Sequence, residues 1–211
     1  MYDRQTYTLW SNINGEAVVG RLAGGNVKLD VLPMTVTTWQ EWLDSHPGTE
    51  VLDLKAVEKS LEHLPYKFPY TPGAADTARR GVEFPVWQKS DRLDRNTEIF
   101  AVQINGDAKA YPLDKIDALG IINDELGGES LVLIGHPESG AVRAYAADGR
   151  KFERGDAPNR VVDETGGVWR VTEAALEPEA GGEPLERLAQ GHNAYWFGWV
   201  GFYPQTRIYG D

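Results

Sequence analysis

Ile99-Phe100-Ala101-Val102-Gln103-Ile104, then Asn105-Gly106, then Asp107-Ala108-Lys109-Ala110-Tyr111: the reading of this stretch decides the fold. Two runs rich in apolar, β-branched and aromatic residues flank an Asn-Gly pair. Asn-Gly accepts the positive φ angles of a type I′ turn, whose twist matches that of paired strands. The spacing therefore predicts a two-residue β-hairpin. Downstream, Pro112 to Gly120 predicts a short helix with proline at its start and glycine at its end. Gly127-Gly128 is a turn, and Leu131-Val132-Leu133-Ile134 is an apolar run suited to a buried strand. Pro137-Glu138-Ser139-Gly140, Asp148-Gly149 and Glu164-Thr165-Gly166-Gly167 turn the chain again before Val168-Trp169-Arg170-Val171. Turns at this density predict antiparallel meanders rather than βαβ units. The expected fold class is mainly β, a β-rich α+β protein with two or three short helices.

The sequence also repeats itself. Trp39-x-x-Trp42, Pro47-x-Thr49-x-Val51 recurs as Trp196-x-x-Trp199, Pro204-x-Thr206-x-Ile208, every residue displaced by 157 positions. Ala23-Gly24-Gly25 and Ala180-Gly181-Gly182 share that displacement, while Thr6 and Trp10 match Thr165 and Trp169 with small insertions. Such self-similarity predicts an internally duplicated unit. In the first copy, Thr38 and Glu41 have capping-box spacing. A helix to about Ser45 would place Trp39, Trp42 and Leu43 on one face, with His46-Pro47-Gly48 ending it and Glu50-Val51-Leu52 resuming as a strand. In the second copy, Asn193 is placed to cap a helix dense in aromatics, with Tyr195, Trp196, Phe197, Trp199, Phe202 and Tyr203. Aromatic density of this kind serves a core or an interface more often than a ligand cage. Residues 1–60 are expected to form a partial repeat unit and 94–211 a complete one. Residues 61–93, rich in proline and aromatics, would be a connector packed across the halves of one compact domain. A short polar helix is expected from Leu54 to Leu64.

The chain has 211 residues, enough for a sizeable core without a metal or disulfide staple. Its net charge of −11 argues against nucleic acid and anionic membranes as partners. A cationic partner or bound cation remains compatible, although an acidic surface that maintains solubility is the plainer reading. The chain has no cysteine, which removes thiol nucleophiles, thiolate metal sites and disulfides. No apolar run approaches the roughly 18 residues of a membrane span, and the polar start has no signal-peptide pattern.

Three segments resemble a known family. Tyr2-Asp3-Arg4-Gln5-Thr6 with Trp10 and Gly15-Glu16-Ala17 is similar to its Y-D-R-x-T-x-x-x-W…G-E-A segment. Ile104 to Leu113 is similar to I-N-G-E-A-R-A-Y-P-L, and Asn123-Asp124-x-x-Gly127-Gly128 to V-N-D-x-x-G-G. The family is the prokaryotic domain of unknown function 3179. The resemblance implies a tandem of two units, commonly behind a secretion or lipoprotein signal and hence extracytoplasmic. It also implies a C-P-L-C-G-type motif, sometimes with selenocysteine, on the hairpin after V-N-D-x-x-G-G, suggesting redox or metal chemistry. Here that hairpin reads His136-Pro137-Glu138-Ser139-Gly140, with His136 and Ser139 where the family carries its cysteines. By the same comparison the chain is expected to begin midway through the first unit.

The candidate chemistry is sparse. His136, Glu138 and Ser139 share a tight turn that can present an imidazole and a carboxylate together; the plainer reading is a hairpin turn. Asn123, Asp124 and Glu125 offer oxygen ligands to a hard cation, but without calcium-loop spacing, and turn hydrogen bonds account for them equally well. His46, His63 and His192 have no metal-site spacing. There is no nucleophile elbow, P-loop or dinucleotide fingerprint. Three functions stay open. One is a non-catalytic binding or scaffold domain that meets a protein partner or itself through Trp196, Trp199, Tyr203 and neighbours, with Asn123 and Asp124 as further binding candidates. The second is a redox- or metal-associated protein of the resembled family with its thiol half absent. The third is a hydrolase or lyase using His136 with Glu138 or Asp124. No cofactor is implied beyond a divalent metal at the carboxylates.

Overall fold

In the computed structural model, which describes residues 1–53, 55 and 86–211, the hairpin forms as expected. Strand β4 (Glu98–Ile104) pairs with β5 (Asp107–Pro112), and Asn105 and Gly106 take φ angles of 50° and 90° at the turn. Helix α2 (Leu113–Leu119) follows, flanked by Pro112 and by Gly120 at a φ of 73°. A side chain at Gly120 would collide with the Arg154 guanidinium, so glycine there serves both the helix end and a close approach.

The chain divides into two compact units, Met1–Val36 with Val86–Asp211, and Thr37–Pro85. In the first, β1 (Tyr2–Asp3), β2 (Thr8–Trp10) and β3 (Ala17–Val19) form a small antiparallel sheet. A second sheet has the order β6 (Ile121–Leu126), β7 (Glu129–Gly135), β8 (Val142–Ala146). A third takes β9 (Phe152–Arg154), β10 (Arg160–Asp163), β11 (Val168–Val171), β12 (Ala175–Pro178) and β13 (Leu185–Glu186) as a meander. The fourth has the order β14 (Gly191–Tyr195), β4, β5, β15 (Arg207–Ile208), with β15 running parallel to β5. Helix α3 (Trp196–Val200) leads out of β14.

Alternation along the strands assembles these sheets into layers. Phe100 and Val102 of β4 meet Leu131 and Leu133 of β7 in one core, with Ile116 of α2. Val132 and Ile134, on the other face of β7, pack on Phe152, Val161 and Trp169 of the meander. Ile99 and Ala101, on the other face of β4, pack on Trp196, Trp199 and Ile208. Strands β4 and β7 are thus covered on both faces, which is why they read as continuous apolar runs. Each of the core tryptophans Trp169, Trp196 and Trp199 buries roughly 150–250 Å², on the order of 4–6 kcal/mol before ordering entropy is subtracted.

The motif residues of the sequence join these layers. Asn105 Nδ2 donates to the Gly127 carbonyl at 3.0 Å, and a side chain at Gly127 would collide with the Ile104 carbonyl. The two hairpin turns therefore nest, which requires glycine on one side.

The second unit contains α1 (Trp39–Ser45), whose N-cap Thr38 accepts from the Glu41 amide at 3.3 Å. The cap and the stop before Pro47 are as predicted. Glu50–Leu52 joins no strand among the described residues, so the expected strand there does not form. Asn193 differs from expectation too. It lies inside β14, because pairing with β4 continues to Tyr195↔Glu98, and Tyr195 holds the position before α3. The expected helix at 54–64 and most of the connector lie outside the described residues.

Candidate functional site

The first unit contains a surface pocket of about 460 Å³, open to solvent, where four elements meet. Glu98 and Ile99 open β4, Ala194 and Tyr195 close β14, and the Tyr195↔Glu98 pairing sets these ends side by side. Leu113 and Asp117 come from α2, four residues apart and therefore on one helix face. Ser139 and Gly140 come from the turn joining β7 and β8. The turn is held by the Gly140 amide on the His136 carbonyl (2.9 Å) and the Ala141 amide on Ser139 Oγ (3.3 Å). Glu98 and Asp117 are exposed and form no ion pair among the described residues. Oδ1 of Asn193, another wall residue, is buried without a hydrogen-bond partner among the described residues, as is Nδ1 of His136. The lining thus combines apolar residues with two acidic residues and an asparagine; such a surface suits a ligand that is apolar in its body and positively charged at its end.

The sequence candidates fall in different places. Ser139 reaches the cavity, His136 anchors the turn beside it, and Glu138 is exposed on the turn. Asp124 is elsewhere. It pairs across to Leu131, five residues before His136, which is about 17 Å along a strand. Its carboxylate is engaged by Lys109 Nζ at 2.6 Å and by the Tyr111 hydroxyl at 2.9 Å, with Lys109 also lying over the Tyr111 and Tyr209 rings. Burial first, and the Asp124 charge second, push the Tyr111 hydroxyl well above its ordinary range, so it remains a donor. Asn123 exchanges two hydrogen bonds with the Phe152 backbone (2.9 and 2.8 Å), which extends pairing from β6 to β9. Asn123 and Asp124 thus spend their polar atoms on joining sheets.

Trp196 and Trp199 are wholly buried, and Tyr203 is half-buried against Trp199 at 4.3 Å between ring centroids. His192 is half-buried, and burial lowers its pKa. His46 stacks on Trp42 at 4.0 Å, and His63 lies outside the described residues. Among the described residues, no three His, Asp or Glu side chains converge as metal ligands, and no helix is long and apolar enough to cross a membrane.

Sequence reasoning did not single out Glu98 or Asp117. Neither sits in a motif, and their proximity depends on strand register and on how α2 packs. The cavity, the layered sheets and the nested turns define a mainly β protein with an acid-rimmed pocket beside the β7–β8 turn. A family model described as "Protein of unknown function (DUF3179)" matches residues 1–206, and the chain belongs to that family. No curated protein and no solved structure matches it.

Proposed function

We propose that this protein is a non-catalytic binding domain, and that its ligand is a small organic cation held in the cavity between Glu98, Asp117 and Asn193. The observation that carries the reading is the cavity itself: about 460 Å³, with two carboxylates at its rim that have no cationic partner among the described residues. That volume falls at the lower end of ordinary ligand sites and matches a molecule of amino-acid size or the end of a lysine or arginine side chain. Burial of the Asn193 carbonyl oxygen without a donor adds an acceptor for an N–H group. The net charge of −11 supports cation capture at longer range.

Amide NMR titration with cadaverine and with agmatine, against glutarate as an anionic control, tests this. The amines should shift the Ser139, Gly140 and Asn193 amides saturably, and the Glu98→Gln/Asp117→Asn variant should weaken both at least tenfold. Absence of localised shifts, or equal binding by the variant, would overturn the reading. Binding by a lysine-bearing peptide, but not by free amines, would keep the site and assign it to a protein partner.

A further inference from the structure

The two tryptophan segments have the same local structure and differ in what covers them. Trp42 Nε1 donates to Thr49 Oγ1 at 2.9 Å, and Trp199 Nε1 donates to Thr206 Oγ1 at 3.0 Å. Trp42 stacks on His46 with centroids 4.0 Å apart, and Trp199 stands 4.3 Å from Tyr203. The His46 amide donates to the Trp42 carbonyl and the Tyr203 amide to that of Trp199. The Thr49 amide donates to the His46 carbonyl and the Thr206 amide to that of Tyr203, both at 3.0 Å. Every pair obeys the displacement of 157 positions found in the sequence.

In the second copy this segment clasps the β4–β5 hairpin. Trp196 packs on Ile99, Ala101 and Ala110 with no exposure, and Ile208 pairs with Ala110 at 6% exposure. In the first copy the counterpart of Trp196, Trp39, is 53% exposed, and the counterpart of Ile208, Val51, is 73% exposed. Leu52 beside it is exposed as well. Residues 50 and 51 have β15 as their counterpart, but 50–52 pair with no strand among the described residues.

We infer that α1 with Val51 and Leu52 is a docking surface for a β-hairpin with the chemistry of β4–β5, other than the chain's own β4–β5. The second copy specifies that chemistry. One strand offers a free edge to residues 50–52 in parallel, and small or β-branched side chains such as Ala and Ile face Trp39. A second copy of this chain is the weaker occupant, because its β4–β5 hairpin is already covered by its own α3 and β15. Strand addition supplies main-chain hydrogen bonds, and the tryptophan supplies the apolar anchor.

The probe is a labelled, cyclised peptide of residues 97–112, since an open two-stranded hairpin is marginally stable alone. Fluorescence anisotropy with the full chain should show saturable binding, weakened at least tenfold by Trp39→Ala and by Val51→Asp. Both positions are exposed, so the variants should retain the wild-type circular dichroism. No binding, or binding that Val51→Asp leaves unchanged, overturns the inference; the latter outcome means that the peptide has displaced the resident hairpin. Light scattering that shows a dimer which Val51→Asp dissociates also overturns it, by giving this face to a second copy.

Discussion

Asp163 terminates β10 and is saturated with donors. It accepts from the Thr165 hydroxyl at 2.6 Å, the Thr165 and Gly167 amides at 2.9 Å each, and Trp169 Nε1 at 2.8 Å. The Thr165 hydroxyl first, then Trp169 and the two amides, outweigh burial and hold its pKa at about 2 instead of the ordinary 3.8. A folded-state value below the unfolded one means that the folded chain binds fewer protons. Its contribution to stability is therefore complete above pH 3.8 and is lost as pH falls through about 2. Asp163→Asn removes that titration, so urea midpoints measured from pH 5 down to pH 2 should fall less steeply in the variant. Parallel curves over that window would refute the assignment. The same donor logic recurs at Asp3, which accepts from the Thr6 hydroxyl and from the Gln5 amide at 2.8 Å. The Asp-Arg-Gln-Thr and Asp-Glu-Thr segments are thus turn locks, a role legible from Asx-turn chemistry.

At the scale of elements, the tryptophan segments provide an internal control, because one hydrogen bond occurs in two environments. Trp199 and Thr206 are buried, whereas Trp42 and Thr49 are only half-buried. Thr206→Val leaves a buried indole N–H without its acceptor, and should cost about 1–3 kcal/mol in a denaturation experiment. Thr49→Val lets Trp42 turn to water and should cost less than about 1 kcal/mol. Equal losses at both sites would mean that Trp42 and Thr49 are covered in solution as Trp199 and Thr206 are. Helix α1 itself was readable from Thr38, Glu41 and Pro47, since capping is chemistry between neighbours in sequence. The start of α3 was not, because the extent of β14 depends on β4, about ninety residues earlier.

Across the whole first unit, one ionic cluster gathers residues from distant parts of the chain. Glu173 accepts from Arg143 Nε at 2.8 Å and pairs with Arg187 at 3.0 Å, while Arg187 donates to Thr35 Oγ1 at 2.7 Å and lies over the Tyr145 ring. Burial pushes the Glu173 carboxyl up, but the Arg143 charge, the Thr35 hydroxyl and the Arg187 charge outweigh it and hold the pKa below its ordinary value. Both arginine side chains are buried, whereas Glu173 is 29% exposed. Glu173→Gln removes the carboxylate that the guanidinium groups share. The expected loss is about 2–3 kcal/mol, below the roughly 3–5 of a fully buried pair because water reaches the glutamate. Equilibrium urea unfolding checks this; a loss under about 0.5 kcal/mol would show that the arginines are balanced by other groups.

From the sequence alone follow the hairpins at Asn105-Gly106 and Gly127-Gly128, helices α1 and α2, the double burial of β7 and the family. Each of these rests on forces acting over a few residues, such as turn dihedrals, caps and strand alternation, or on motifs that can be matched along the chain. The pocket and the exposure of Trp39 belong to the tertiary structure. Glu98, Asp117, Ser139 and Asn193 meet only through sheet register and helix packing, which no local pattern encodes. Likewise Trp39 and Trp196 open segments with the same W-x-x-W and P-x-T spacing, yet one indole is exposed and the other is buried against the β4–β5 hairpin.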